Sequence, residues 1–167
     1  MNRIIRAAKP ADAEAIANVH VESWRWAYDG LMPRKLLDGL SAADRTQQWL
    51  RQVQSPGTAV FVGEAAGEVK GFISCGPSRE GDGHGEVYAL YLNREVQGTG
   101  MGAELWREAR EWLVSQGFTT VKVWVLDTNV LARSFYERTG LRLDGGSKTS
   151  EWSGASLNEV SYLGPLT

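Results

Sequence analysis

Three things are scarce in this sequence, and each scarcity excludes a class of protein. Cys75 is the only cysteine, which excludes an internal disulfide and a cysteine-based zinc cluster and favours a reducing, cytoplasmic setting. No run approaches 18 apolar residues and the N-terminal segment has no apolar core, so we expect neither a membrane span nor an export signal. Basic residues are not in excess, with 18 Lys and Arg against 20 Asp and Glu, so no nucleic-acid partner is expected.

The chain also lacks repeats, low-complexity runs and a Pro- or Ser-rich linker, so we treat residues 1–167 as one domain. Its 43% hydrophobic and 23% charged residues are typical of an ordinary globular domain. A chain of this length buries enough surface to form a core without cross-links.

Hydrophobic periodicity predicts the element order β, α, α, β, β, β, α, β, α, β, β. One helix starts at Pro10 and ends near Ala27, and a second opens at Ser41 and runs toward Val53. Ala66-Gly67 predicts a hairpin turn, and the nearly continuous apolar strand Glu86 to Leu92 is expected at the centre of the sheet. The later predicted elements are a helix from Met101 closed by Gly117, a strand Thr119 to Leu126, a short helix Leu131 to Arg138, and strands Leu141 to Thr149 and Leu157 to Leu163.

The most informative stretch is the loop Gln97-Gly98-Thr99-Gly100-Met101-Gly102-Ala103, between a buried strand and a helix. Glycines let the backbone approach a ligand closely, and the helix start presents free N–H groups, so a phosphate group fits there. A Walker loop is excluded because Ala103 and Glu104 stand where Lys and Ser or Thr are required.

A dinucleotide fingerprint is a second interpretation of the same loop. Gly98, Gly100 and Ala103 satisfy G-x-G-x-x-A, and Asp127 follows at about the distance of a ribose-binding acid. The polar spacer from Asn93 to Gly98 and the short chain after Asp127 oppose a doubly wound sheet. An oxidoreductase fragment therefore stays open as an alternative.

Three ordered matches resemble the GNAT superfamily of acetyl-CoA-dependent N-acetyltransferases. Gln97-x-x-Gly100-x-Gly102 is similar to the family's [QR]-x-x-G-x-[GA] loop. The strand Tyr88 to Leu92 resembles its fourth strand, and Asn129 with Ala132, Phe135, Tyr136 and Gly140 resembles its N-x-x-A-x-x-F-Y-x-x-x-G segment.

The resemblance implies an α/β (α+β) fold with a central mixed, mostly antiparallel sheet flanked by helices. It implies acetyl transfer from acetyl-CoA to a primary amine of a small molecule or a peptide N-terminus, by direct attack in a ternary complex. A noncatalytic acyl-CoA-binding module is the alternative from another class. The implied coenzyme-binding residues are Leu90, Tyr91, Leu92, Gln97, Gly98, Thr99, Gly100, Met101, Gly102, Ala103, Asn129 and Tyr136.

Acetyl transfer to an amine needs a proton for the leaving thiolate, an acceptor for the amine proton and a donor to the oxyanion. The resemblance places Tyr136 as the acid, and a backbone N–H near Leu90 or Tyr91 at the oxyanion. Glu86 is a candidate base, directly or through water, its alternative being an exposed strand-end carboxylate.

The acceptor end is expected near Trp24 and Tyr28, with Glu86 as a further contact. Carboxylates are expected to outnumber basic residues there, which would favour cationic amines. Asp82 and His84 are too few for a metal site, so no metal is expected. The carboxylates expected at the acceptor end are Glu22, Asp29, Asp82 and Glu86. A homodimer is predicted through strands near Gly145-Gly146 and Trp152.

Overall fold

The computed structural model describes residues 2–152 and 155–166, at 152 and 155 for the backbone only. The strands are β1 (Arg3–Ala7), β2 (Ala59–Ala65), β3 (Glu68–Pro77), β4 (Gly85–Leu92), β5 (Thr120–Leu126), β6 (Arg142–Trp152) and β7 (Ala155–Pro165). The helices are α1 (Ala13–Ala27), α2 (Arg34–Asp38), α3 (Ala42–Gln54), α4 (Met101–Ser115) and α5 (Val130–Arg138), with single 3₁₀ turns at Pro10–Asp12 and Arg94–Val96.

All seven strands form one sheet in the order β1-β2-β3-β4-β5-β7-β6. In the described residues β4 and β5 pair in parallel, and the other neighbours pair antiparallel. The predicted fold class is confirmed, and β4 takes the predicted central place. Strands from both ends of the chain share this sheet.

Alternating side chains along the strands pack into two layers of core, one on each face of the sheet. On one face, α1 and α3 pack on Val62 and Phe72, with Ala89 and Tyr91 of β4 beside them. On the other face, α4 and α5 pack on β3, β4 and β5, with Leu90 and Leu92 beside them. Successive residues of β4 therefore face opposite layers, a fact that positions the site described below.

Several local predictions are confirmed by the backbone. Ala66 and Gly67 have φ of 54° and 80°, as a two-residue hairpin turn requires. The Ser41 hydroxyl accepts the Asp44 N–H and caps α3. Sequence analysis missed α2, whose Leu37 is buried against the end of α1 and the β5 and β7 strands. This five-residue helix depends on that tertiary contact, since so short a helix is not stable alone.

Candidate active site

The sheet opens between β4 and β5. Their pairing joins Gly85–Val87 to Val121–Val123 and then stops, although β4 continues to Leu92 and β5 to Leu126. The backbone of β4 beyond Val87 therefore has no strand partner on this side.

A bulge in β4 lies where the opening begins. In the pairing with β3, Val87 lies opposite Cys75 and Ala89 lies opposite Ser74, so Tyr88 is an extra residue in β4. A bulge bends its strand and increases the local twist. We attribute the separation of β4 from β5 to this one inserted residue.

A cavity of about 1500 Å³ occupies the opening and is lined by residues of both faces of the sheet. Ala89 and Tyr91 line it from the α1–α3 face, and Leu90 and Leu92 line it from the α4–α5 face. The cavity therefore reaches both faces of the sheet at this opening. The wide opening also explains why β4 is only half-buried from Tyr88 to Leu92, less than its apolar sequence predicts.

The glycine-rich loop forms one end of the cavity at the start of α4. Gly98 and Gly100 have φ of 71° and 94°, conformations that favour glycine. Among the residues that the structure describes, no side chain caps α4, and the first N–H groups of a helix have no acceptor within it. Gly98, Gly100, Gly102 and Ala103 line the cavity beside these donors. The arrangement suits an anion such as a phosphate.

Hydrogen bonds from other elements fix this loop. Arg3 forms an ion pair with Glu104 and donates to the Thr99 carbonyl oxygen at 2.7 Å. The Thr99 hydroxyl donates to the Val96 carbonyl at 2.6 Å. The Gln97 amide donates to the last carbonyl of β4, that of Leu92, at 3.3 Å. Gln97 and Thr99 were predicted from the sequence. The contacts of Arg3 were not, because its partners lie about a hundred residues away along the chain.

Tyr136 reaches the cavity from α5. Its side chain is 8% exposed and packs against Trp106, Phe135 and Tyr162. Its hydroxyl has no hydrogen-bond partner among the described residues, and burial raises the pKa of this phenol, with a smaller contribution from Tyr28. The group is therefore protonated at neutral pH and free to donate.

Asn129 also lines the cavity, as the N-cap of the helix that carries Tyr136. Its Oδ1 accepts the Ala132 N–H at 3.2 Å. The structure thus gives Asn129 a definite local role, which is to fix the start of α5.

The structure does not bring Glu86 into the cavity. Its carboxylate is 1% exposed and accepts three hydrogen bonds from Arg79, from the backbone N–H at 3.0 Å, Nε at 3.2 Å and Nη2 at 2.7 Å. The interpretation of Glu86 as an exposed carboxylate is wrong. Arg79 itself lines the cavity, with its guanidinium 5.0 Å from the ring centre of Tyr88.

An aromatic cluster forms the α1–α3 wall. Trp24 and Tyr28, the predicted acceptor contacts, both line the cavity, with ring centres 5.0 Å apart. His20 stacks on Tyr91 at 5.3 Å and accepts the Trp49 indole N–H at Nδ1, at 3.0 Å. An indole nitrogen only donates, so the neutral ring carries its proton on Nε2. Burial lowers the pKa of His20 to about 4, with a further effect of nearby Arg45.

The charges along the cavity oppose the expectation of a carboxylate-rich cleft. Among the described residues the lining includes four basic side chains and a single acidic one. These are Arg45, Arg79, Arg138 and Lys148 against Glu159. None of the four expected carboxylates lines the cavity, so that expectation is wrong. Linear sequence could not reveal it, because these charges come from five separate elements.

Other candidate groups behave as predicted or lie apart. Cys75 is a buried free thiol whose pKa burial raises to about 12, as expected for an inert residue. Asp82 forms an ion pair with Lys122 at 2.8 Å. In the described part of the chain no three His, Cys, Asp or Glu side chains cluster as a metal site would require. None of the described helices combines the length and hydrophobicity that a membrane crossing needs.

Comparison with solved structures identifies the class of protein that has this fold. The chain is similar to the PaiA N-acetyltransferase of Thermoplasma acidophilum in complex with coenzyme A, with a TM-score of 0.75, 21% identity and coverage of 96% of this chain and 98% of that one. It is also similar to YncA, a putative acetyltransferase of Salmonella typhimurium with its cofactor acetyl-CoA, at TM-score 0.76 and 21% identity, over 100% of this chain and 95% of that one. The fold is that of an N-acetyltransferase.

Sequence comparison places the chain within that class. The model of the acetyltransferase (GNAT) family matches residues 13–141, and the chain belongs to this family. The uncharacterized N-acetyltransferase YuaI of Bacillus subtilis is 38% identical over 128 residues, covering 75% of this chain and 72% of the relative. The probable N-acetyltransferase Rv2775 of Mycobacterium tuberculosis is 28% identical over 163 residues, covering 95% and 91%. The resemblance seen in the sequence is confirmed.

Proposed function

We propose that this GNAT-type N-acetyltransferase transfers an acetyl group from acetyl-CoA to an amine of a small molecule or a peptide N-terminus, by direct attack in a ternary complex. The observation that carries the proposal is the cavity through the sheet, because two substrates can enter from opposite faces and meet between β4 and β5.

The donor enters from the α4–α5 face. Its pyrophosphate binds the free N–H groups at the start of α4, at Gly100 to Ala103, where the helix dipole favours an anion. Its pantetheine arm lies along the unpaired backbone of β4 at Leu90 to Leu92, as an added strand would. Asn129 orders the helix beside it.

The chemistry needs few protein groups. The amine lone pair attacks the thioester carbonyl carbon, and a backbone N–H of β4 near Leu90 or Tyr91 stabilises the oxyanion. As the C–S bond breaks, the sulfur takes the proton of the Tyr136 hydroxyl, which its raised pKa keeps in place. The phenol regains a proton from solvent, and the amine nitrogen loses one.

Water is the proposed acceptor of that amine proton. The two side chains that could act as the base, Glu86 and His20, already have hydrogen-bond partners. Glu86 is enclosed by hydrogen bonds from Arg79. The neutral His20 offers its free ring nitrogen as a donor, because Nδ1 already accepts from Trp49.

Initial rates of thiol release test the proposal. With acetyl-CoA and amines varied independently, direct transfer gives intersecting reciprocal plots, whereas a covalent acetyl-enzyme gives parallel ones. In parallel, calorimetry measures the binding of coenzyme A and of a nicotinamide dinucleotide. Tight coenzyme A binding without thiol release for any amine would establish the noncatalytic alternative, and binding of the dinucleotide alone would favour an oxidoreductase.

Two further properties belong to the proposal. β6 is an edge strand of 11 residues, and a homodimer would form if two such edges paired near Gly145-Gly146 and Trp152. Sedimentation of a monomer at micromolar concentration would refute it. The free thiol of Cys75 fits a cytoplasmic location.

A further inference from the structure

We propose that the acceptor amine carries a carboxylate or a similar anionic group, and that Arg79 binds this group on the α1–α3 face of the cavity. The inference rests on the proposed acetyl transfer and defines its second substrate.

Arg79 lies on the acceptor side of the sheet. Its guanidinium stacks over Tyr88, whose hydroxyl donates to the Pro77 carbonyl at the end of β3. The Tyr88 ring lies over Gly76, where an added Cβ would come within 2.5 Å of the phenol oxygen. Gly76 lies four residues after Phe72 on β3, so both residues face the same side of the sheet. Phe72 packs against α1 and α3 on that side. Arg79 and Tyr88 therefore lie on the face of the sheet opposite the glycine-rich loop Gln97 to Ala103, where the donor binds in the proposed complex.

Glu86 holds Arg79 in a fixed orientation. Its buried carboxylate is bonded by Nε, Nη2 and the backbone N–H of Arg79, so both ends of that side chain are restrained. Nη1 makes no hydrogen bond within residues 2–152 and 155–166. The guanidinium thus keeps free donors while 62% of its side chain is exposed, which suits the paired oxygens of a carboxylate or phosphonate.

The other charges on this face increase the attraction for an anion. Arg45 lines the cavity from α3 and contacts the Gln48 amide oxygen at 3.1 Å, and none of the described carboxylates pairs with it. Lys148 lies 4.1 Å from the ring centre of Trp124 and directly opposite Glu159 in the β6–β7 pairing. Those two charges offset each other. Arg79 is paired with Glu86, so Arg45 supplies the positive charge that no described carboxylate offsets, and Arg79 supplies the oriented hydrogen-bond donors.

The donor does not account for these two arginines. In the proposed complex its phosphates lie at the start of α4, on the opposite face, where Arg138 of α5 provides a basic group. An anionic acceptor would use the charge that is left. A polyamine would meet like charge, which reverses the preference expected from the sequence.

The preference for an anionic group can be measured with reaction products. Acetylated products do not turn over and have no basic amine, so neither effect enters the measured affinity. N-acetyl amino acids and their uncharged amides, matched pair by pair over several side chains, are titrated into the protein saturated with coenzyme A. We expect the acid to bind about tenfold or more tighter than its amide, as one charge-assisted pair of hydrogen bonds provides.

The variants must not leave Glu86 charged and unpaired in the core. The double variant Arg79→Gln/Glu86→Gln removes both charges, and we expect it to lose the preference for the acid over its amide. Glu86→Gln alone should weaken acid binding severalfold, since Arg79 loses its orienting partner. Arg51→Gln, on the exposed surface of α3 and outside the cavity lining, is the matched control and should keep the full preference.

Two binding results would overturn the inference: no pair in which the acid binds better than its amide, or a preference for the acid that persists in the double variant. Failure of the proposed function looks different, because coenzyme A itself would then not bind or no amine would release thiol. Thiol release that is fastest with uncharged or cationic amines would reject the anionic acceptor and keep the acetyltransferase.

Discussion

Protonation of His20 should destabilise the fold as the pH falls. The neutral ring accepts the Trp49 N–H at Nδ1, and a proton on that nitrogen would place two donors face to face. The groups around it include the cation Arg45 and the rings of Trp24, Phe72 and Tyr91, so none of these neighbours supplies a negative charge to offset the proton. The His20→Asn variant removes the titration and keeps an oxygen acceptor near the Nδ1 position.

The magnitude follows from the pKa values of the two states. The pKa falls from 6.5 in the unfolded chain to about 4 in the folded protein, so below pH 6.5 the unfolded chain binds more protons. The free energy of unfolding therefore decreases as the pH falls through this window, and the contribution levels off below about pH 4. At pH 5 the loss amounts to roughly 2 kcal/mol relative to neutral pH.

Urea unfolding of the wild type and His20→Asn at several pH values measures this loss. Carboxylates titrate in both proteins, so their difference in unfolding free energy isolates His20. We expect that difference to shift by about 2 kcal/mol in favour of the variant between pH 7 and pH 5. A constant difference across this range, or a resonance assigned to His20 that titrates above pH 6, would contradict this prediction.

Three substitutions test the donor side. Tyr136→Phe should lower kcat about 100-fold in single-turnover assays without changing coenzyme A affinity, and unchanged turnover would move the proton donor elsewhere. Gly102→Val should abolish coenzyme A binding in calorimetry, because even the first added carbon lies 3.3 Å from Leu92 at the anion site, whereas Gly39→Val, outside the cavity, should bind normally. Asn129→Ala should cost about 1 kcal/mol in urea unfolding through the lost cap of α5, and equal stability would contradict that capping role.

The sequence predicted those features whose causes are local. Ala66-Gly67 dictates its turn and Ser41 caps its own helix, so each element could be found within a few residues. The element order followed from periodicity, and the class of protein followed from three short motifs in order. α2 escaped detection because its stability comes from packing contacts that only the folded chain creates.

The acceptor end was harder to predict because its charges come from distant segments. Arg45 and Arg79 belong to different elements, and no spacing rule brings them to one face. The ion pair of Arg79 with Glu86 spans only seven residues, and a hairpin between β3 and β4 would have suggested it. Without that pairing, Glu86 looked like a free carboxylate.

The cavity between β4 and β5 is lined by different segments of the chain on its two faces. In the proposed complex the donor binds the loop after β4 and α5, and the acceptor binds α1, α3 and the end of β3. If the proposed complex is right, substitutions confined to the acceptor wall would change which amine is modified while the acetyl source stays the same.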